Sequence, residues 1–201
     1  MSGGEWMMRR FALIVALCAL LPGQAAAQFF PAGAFSDKPD VHEMTAAWYS
    51  RHLTAMEEPS LLKRAAERKE AEIYRFIWLR SFHPPYVFRL EVRADGTGTL
   101  VVKNASGSGG YDPGRLVLSK TLALDARKAR QFTSALGQLN FWQLATRDPA
   151  RSGHDGAQWI LEGVKGGRYH VVDRWSPEEG PFRKLMLDLV ALASVKVRPI
   201  Y

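Results

Sequence analysis

The chain has 201 residues, 47% hydrophobic and 23% charged, which is enough apolar material for one core of ordinary size plus an extension. Its formal charge is +7, but the basic residues are scattered without the Lys/Arg runs of a nucleic-acid arm; a nucleic-acid partner is therefore excluded, and an anionic surface polymer such as lipopolysaccharide stays open. The single cysteine, Cys18, lies in a segment expected to be removed, which excludes a disulfide, a zinc–thiolate site and a cysteine nucleophile.

Residues 1–27 read as a secretory signal peptide. Arg9-Arg10 form its basic region, 11–21 its apolar core, and Pro22 to Ala27 a small-residue region suited to cleavage after Ala27. The apolar run is too short to cross roughly 30 Å of hydrocarbon as a helix. Leu17 before Cys18 is bulky where a lipoprotein signal wants a small residue. The expectation is a periplasmic or secreted protein with no transmembrane segment after processing.

Residues 28–72 are expected to form a lead-in and a helical arm. Phe29 to about Asp40 contains Pro and Gly and reads as a loose lead-in. A helix over 41–56 carries Met44, Trp48 and Leu53. Ser60 can then cap a second helix over 61–72, with Lys63, Arg64, Glu67, Arg68, Lys69 and Glu70 making a solvated face. Such an arm either packs over the rest of the chain or docks onto something else.

From residue 73 to 201 the pattern is that of one α+β domain. Both faces of 73–82 are substantially apolar, so this strand is central or covered on both sides. In 86–93, Tyr86, Phe88, Leu90 and Val92 alternate with Val87, Arg89, Glu91 and Arg93. This is a half-buried strand in which Phe88 belongs to the core and Arg89 faces away with little bearing on stability. Asp95-Gly96 signals a hairpin into a strand over 99–104. A mobile Gly/Ser loop over 105–114 leads to a strand over 115–122. Asp125 caps a helix whose Ala129, Phe132, Leu136 and Leu139 face inward, closed by Phe141 and Trp142. Residues 158–163 and 168–175 form a second hairpin around Gly166-Gly167, which can take positive φ. Ser176-Pro177-Glu178-Glu179 reads as a short capped turn. The main helix then starts at about Pro181, burying Phe182, Leu185, Met186, Leu189, Val190 and Ala193 on one side. The predicted fold is an antiparallel sheet of about six strands with two amphipathic helices on one face, each following a hairpin as in two related halves, plus the N-terminal helical arm.

The Asp95-Gly96-Thr97-Gly98 hairpin, Phe141-Trp142-x-Leu144 and the 155–175 hairpin resemble an uncharacterised family of exported bacterial proteins. The resemblance covers roughly 73–193 and rests on turns, caps and core aromatics. It implies an exported α+β domain and carries over no catalytic residue.

His154, Asp155, His170 and Asp173 are the one acid–histidine group within a short span, a basis for a hydrolase-type or metal-dependent enzyme. Strand residues three apart face opposite ways, however, so His170 and Asp173 should not converge. Their spacing matches no metal motif, and no metal or cofactor is expected. No Gly-x-Ser-x-Gly elbow occurs, and Ser106 to Gly110 lacks the Lys-Ser/Thr ending of a phosphate loop. Helices on one side leave the other sheet face open, and aromatics there would suit a sugar or a protein partner. The favoured expectation is a non-catalytic binding domain of the bacterial envelope. Its contact residues would be Trp159 paired with Arg174 on that face, with Tyr111 and His154 on nearby loops, and its partner an envelope protein or anionic polymer. A third expectation is a structural accessory of an envelope complex, docking through residues 41–72.

Overall fold

A computed structural model of the chain describes residues 28–148, 153 and 155–201. Residues 1–27, expected to be a signal peptide, and His154 lie outside the described residues. In chain order the elements are α1 (Pro39–Ala55), α2 (Leu61–Glu67), β1 (Glu72–Arg80), β2 (Tyr86–Val92), β3 (Gly98–Ala105), β4 (Leu116–Leu124), α3 (Ala126–Gln138), β5 (Ala157–Lys165), β6 (Arg168–Trp175) and α4 (Gly180–Leu192), with one 3-10 turn at Phe141–Gln143. The six strands form a single sheet in the order β4-β3-β2-β1-β5-β6, with every neighbouring pair antiparallel. The α+β class and the strand count agree with the sequence pattern. No helix among the described residues is long and apolar enough to cross a membrane.

The local signals explain most boundaries. At the first hairpin Gly96 takes φ +81°, and Asp95 Oδ1 accepts both the N–H and the hydroxyl of Thr97. At the second, Gly166 and Gly167 both take left-handed φ, which suits the twist of the strands they join. Asp125 caps α3 by accepting the Lys128 N–H at 2.8 Å. Ser60 caps α2 by accepting the Lys63 N–H, but that helix stops at Glu67 rather than running to residue 72. Only Leu61 and Ala65 give it a buried side. Arg68, Lys69 and Glu70 offer no apolar position to extend it, and pairing with β5 takes over at Glu72. The capped turn expected at Ser176 is absent as well. Ser176 has φ +36° and its Oγ accepts the Ala157 N–H at 2.8 Å, while α4 starts with Pro181 in its first turn.

β1 lies at the centre of the sheet and is buried on both faces. On one face Tyr74, Phe76 and Trp78 pack with Phe88, Leu90, Trp159, Leu161 and Val172 under α3 and α4. Leu185, Met186 and Leu189 of α4 reach this core as the helical spacing requires. The expectation for the second face fails, because it is not open. The N-terminal arm lies across it, and Phe29, Phe30, Phe35, Tyr49, Leu53 and Met56 pack on Ile77, Leu79, Val87, Ile160 and Val171. Phe29 and Phe30 are 6% and 3% exposed, so the lead-in is core rather than loose chain. Phe35 sits edge-on to both Phe30 and Tyr49, with ring centroids 5.0 Å apart in each pair. Burying three phenylalanines at roughly 1.5–3 kcal/mol each explains why a Pro/Gly-rich stretch holds one conformation.

That covered face also holds charge. Glu57 turns the chain after α1 at φ +53°, and the next residue, Glu58, sits fully buried against Arg75, Arg89 and Lys103. Arg75, 0% exposed at the centre of the sheet, also meets Glu162 across the β1–β5 pair. Arg89, expected to face solvent, is 8% exposed and donates to Glu58 at 2.8 Å. The alternation in β2 is real, but the arm converts its outward face into a second interior.

Candidate functional site

Among the described residues, those expected to act together do not converge on one site. Trp159 is 0% exposed, packs on Phe76 and Trp78 with ring centroids 5.2 and 4.9 Å away, and donates Nε1–H to Tyr201 O at 3.0 Å. It is a core residue and offers no contact surface. Arg174 is opposite Trp159 in the β5–β6 register, but its guanidinium turns to Ala145 O and Thr146 O and lies over Phe182. The cation over the Trp159 ring is instead Arg183, 5.3 Å from its centroid.

His170 and Asp173 do face opposite ways. His170 packs edge-on to Phe141, and its Nε2 lies 3.0 Å from Leu144 O. Burial holds its imidazole below the usual histidine range. Asp173 is on the arm side and accepts the Tyr49 hydroxyl at 2.8 Å. Burial pushes its carboxyl up to about 6, against that hydrogen bond and the nearby Arg174, which pull it down. Asp155 lines a surface groove away from both. Among the described residues no group of three or more His, Cys, Asp or Glu is arranged to hold a metal ion.

A raised carboxyl has a stability consequence of definite sign. The folded protein holds the Asp173 proton at pH values where the unfolded chain has lost it, so this residue favours folding below about pH 4. That contribution is lost as pH rises through about 6. Urea midpoints measured across this interval should fall more steeply in wild type than in Asp173→Asn. Parallel profiles would mean that the carboxyl is not shifted.

Among the expected binding residues that are described, Tyr111 is the exposed one. The loop carrying it is held in place rather than mobile. Gly109 N–H donates to Arg80 O and His83 O, and Gly110 N–H donates to Ser81 O. A Cβ on Gly109 would stand 2.4 Å from the Arg80 backbone nitrogen, so only glycine permits this approach. From α1, Trp48 donates its indole N–H to Gly109 O and Arg51 donates to Tyr111 O. The result sets the Tyr111 ring 6.1 Å from Phe82, just past the end of β1. Both rings are exposed, at 61% and 56%.

Phe82 also lines a groove with His83, Asp155, Glu178, Arg183, Ile200 and Tyr201. His83 Nδ1 bonds the Tyr201 hydroxyl, and Arg183 donates to Pro177 O at 2.8 Å. Phe82 therefore belongs both to the exposed ring pair with Tyr111 and to a groove with carboxylate, guanidinium and hydroxyl groups in its walls. That combination can hold a ligand by stacking and hydrogen bonding. Ser176, the hydroxyl nearest to being a nucleophile there, is engaged with the Ala157 backbone. Phe82 escaped sequence reasoning because it continues the apolar alternation of β1, and only the break before Pro84-Pro85 hinted at its release. No protein-family model matches the chain, and no curated protein matches it in sequence. The site rests on its geometry.

Proposed function

We propose that the protein is an exported, non-catalytic binding domain of the bacterial envelope whose contact surface is the Phe82–Tyr111 ledge and the groove beside it. The observation that carries this reading is the pair of adjacent exposed rings, one of them on a loop tied down by α1 and the end of β1. Aromatic side chains concentrate binding energy at interfaces, and a loop already ordered loses little entropy when it binds. The apolar side of the arm is spent on the chain's own sheet, which favours this ledge over residues 41–72 as the docking surface. Export enters through the layout of residues 1–27, and the partner class is an envelope protein or an anionic surface polymer.

The test compares wild type with a Phe82→Ser, Tyr111→Ser double variant for binding to lipopolysaccharide and to immobilised envelope extract. The expected result is binding weaker by about tenfold or more, equivalent to at least 1.4 kcal/mol, with the melting temperature unchanged. Undiminished binding by the double variant would remove the ledge from the function.

A further inference from the structure

β4 and β6 run in opposite directions, so α3, which follows β4, and α4, which follows β6, enter their layer from opposite ends of the sheet. Between them lies a groove of about 530 Å³, within the range of small-molecule sites. Phe132 and Leu185, each 3% exposed, line it together with Ala135, Leu192 and the exposed Ala191. The charge beside this groove is one-sided. α3 carries Arg127, Lys128 and Arg130 within its first five residues and no carboxylate along its thirteen. Cations there oppose the positive end of the helix dipole, so they cost the fold stability. Among the described residues none of the three is in a salt bridge to offset that cost. Lys128 lines the groove, and Arg127 precedes the lining residues Gln131 and Ser134 by four and seven positions, on the same helical face. On the α4 side Lys184 also lines the groove, but its ammonium is satisfied by Asp188 at 2.7 Å.

We propose that this groove seats one acyl chain of an anionic lipid, with the headgroup phosphate on Arg127 and Lys128 at the start of α3. An uncharged apolar ligand would leave those two cations without a counter-ion. A free anion would leave the apolar wall in water. A phosphate carrying a single chain satisfies both, gaining charge-assisted hydrogen bonds at one end and burial of methylenes along the other. Because Asp188 already neutralises Lys184, the unpaired cations are those of α3, which sets the direction of the ligand: headgroup at the first turn of α3, chain over Phe132 and Ala135. The groove shares no lining residue with the one beside Phe82, so this is a second site, independent of the aromatic ledge.

Isothermal titration calorimetry on the full chain tests this with three probes: monomeric lysophosphatidylglycerol, lysophosphatidylcholine and glycerol phosphate. The expected result is saturable binding of lysophosphatidylglycerol, tighter by about tenfold or more than either of the others. Arg127→Glu with Lys128→Glu should remove that preference without lowering the melting temperature, since carboxylates suit this end of the helix. Ala191→Trp, a surface change that fills the groove, should weaken binding of the lysolipid while leaving the fold intact. Phe82→Ser with Tyr111→Ser should leave it unchanged. Absence of binding, or equal binding of the choline lipid, would overturn the proposal. So would glycerol phosphate binding as tightly as the lysolipid, which would mean a charge patch without a chain site. Binding undiminished by the charge reversal or by Ala191→Trp would overturn it as well, and a loss in the Phe82, Tyr111 variant would place the lipid on the ledge instead.

Discussion

Trp159→Ala should destabilise the protein by about 3–5 kcal/mol, the cost of emptying a large aromatic site in a well-packed core. Trp159 is fully buried between Phe76 and Trp78, and its indole N–H is satisfied by Tyr201 O. Truncation would remove those ring contacts and the platform under Arg183, and would free a carbonyl that Trp78 reaches at only 3.4 Å. Urea unfolding, with Tyr111→Ala as the exposed control expected within about 0.5 kcal/mol of wild type, decides the matter. An unfolding midpoint unmoved by Trp159→Ala would return this residue to the surface and restore it as a candidate contact.

The contrast between Trp159 and Tyr111 shows what the sequence could carry. Where a signal is local, it was legible. β6 runs from Arg168 to Trp175 as its residue types suggest, Gly166-Gly167 make the turn before it, and Asp125 caps α3. The helical face of α4 reaches the core, and Tyr111 is exposed as a loop aromatic should be. What failed was non-local. Phe29, Phe30 and Phe35 follow no helical or strand period, so nothing in their own neighbourhood says that they cover a sheet formed much later in the chain. Once they do, the face expected to be open becomes interior. Arg89 is then read as a solvent residue although it lies under Glu58, and the candidate surface moves from the sheet to its rim. Phe82 shows the reverse error: its alternation is that of a buried strand residue, but β1 ends at Arg80 and releases the ring to solvent.

The buried charges give the second large effect. Arg75→Met should cost about 3–5 kcal/mol, because removing one partner strands the others in a low-dielectric interior. Arg75 binds Glu162 Oε2 through Nε at 2.7 Å and Nη2 at 2.6 Å, and Nη1 lies 2.7 Å from Pro59 O and 3.3 Å from Glu58 Oε2. Glu162 also accepts the Tyr169 hydroxyl at 2.8 Å, so both of its oxygens are engaged. Burial works against the Glu58 carboxylate, but Arg75, Arg89 and Lys103 outweigh it and hold Glu58 below the usual carboxylate range. Glu58 is thus the point at which the arm engages the cations of the sheet. If this is a coupled network, Arg75→Met combined with Glu162→Gln should recover part of the loss, since the glutamine carries no charge to strand. Glu58→Gln should also destabilise, because it leaves three cations sharing one neutral amide, and Arg89→Ala should cost far more than a solvent-facing arginine would. Chemical denaturation of the singles and the double variant gives the coupling energy directly. Strict additivity of Arg75→Met and Glu162→Gln, or a cost below about 1 kcal/mol for Arg75→Met, would show that solvent reaches these charges and that the apolar contacts of the arm alone hold it on the sheet.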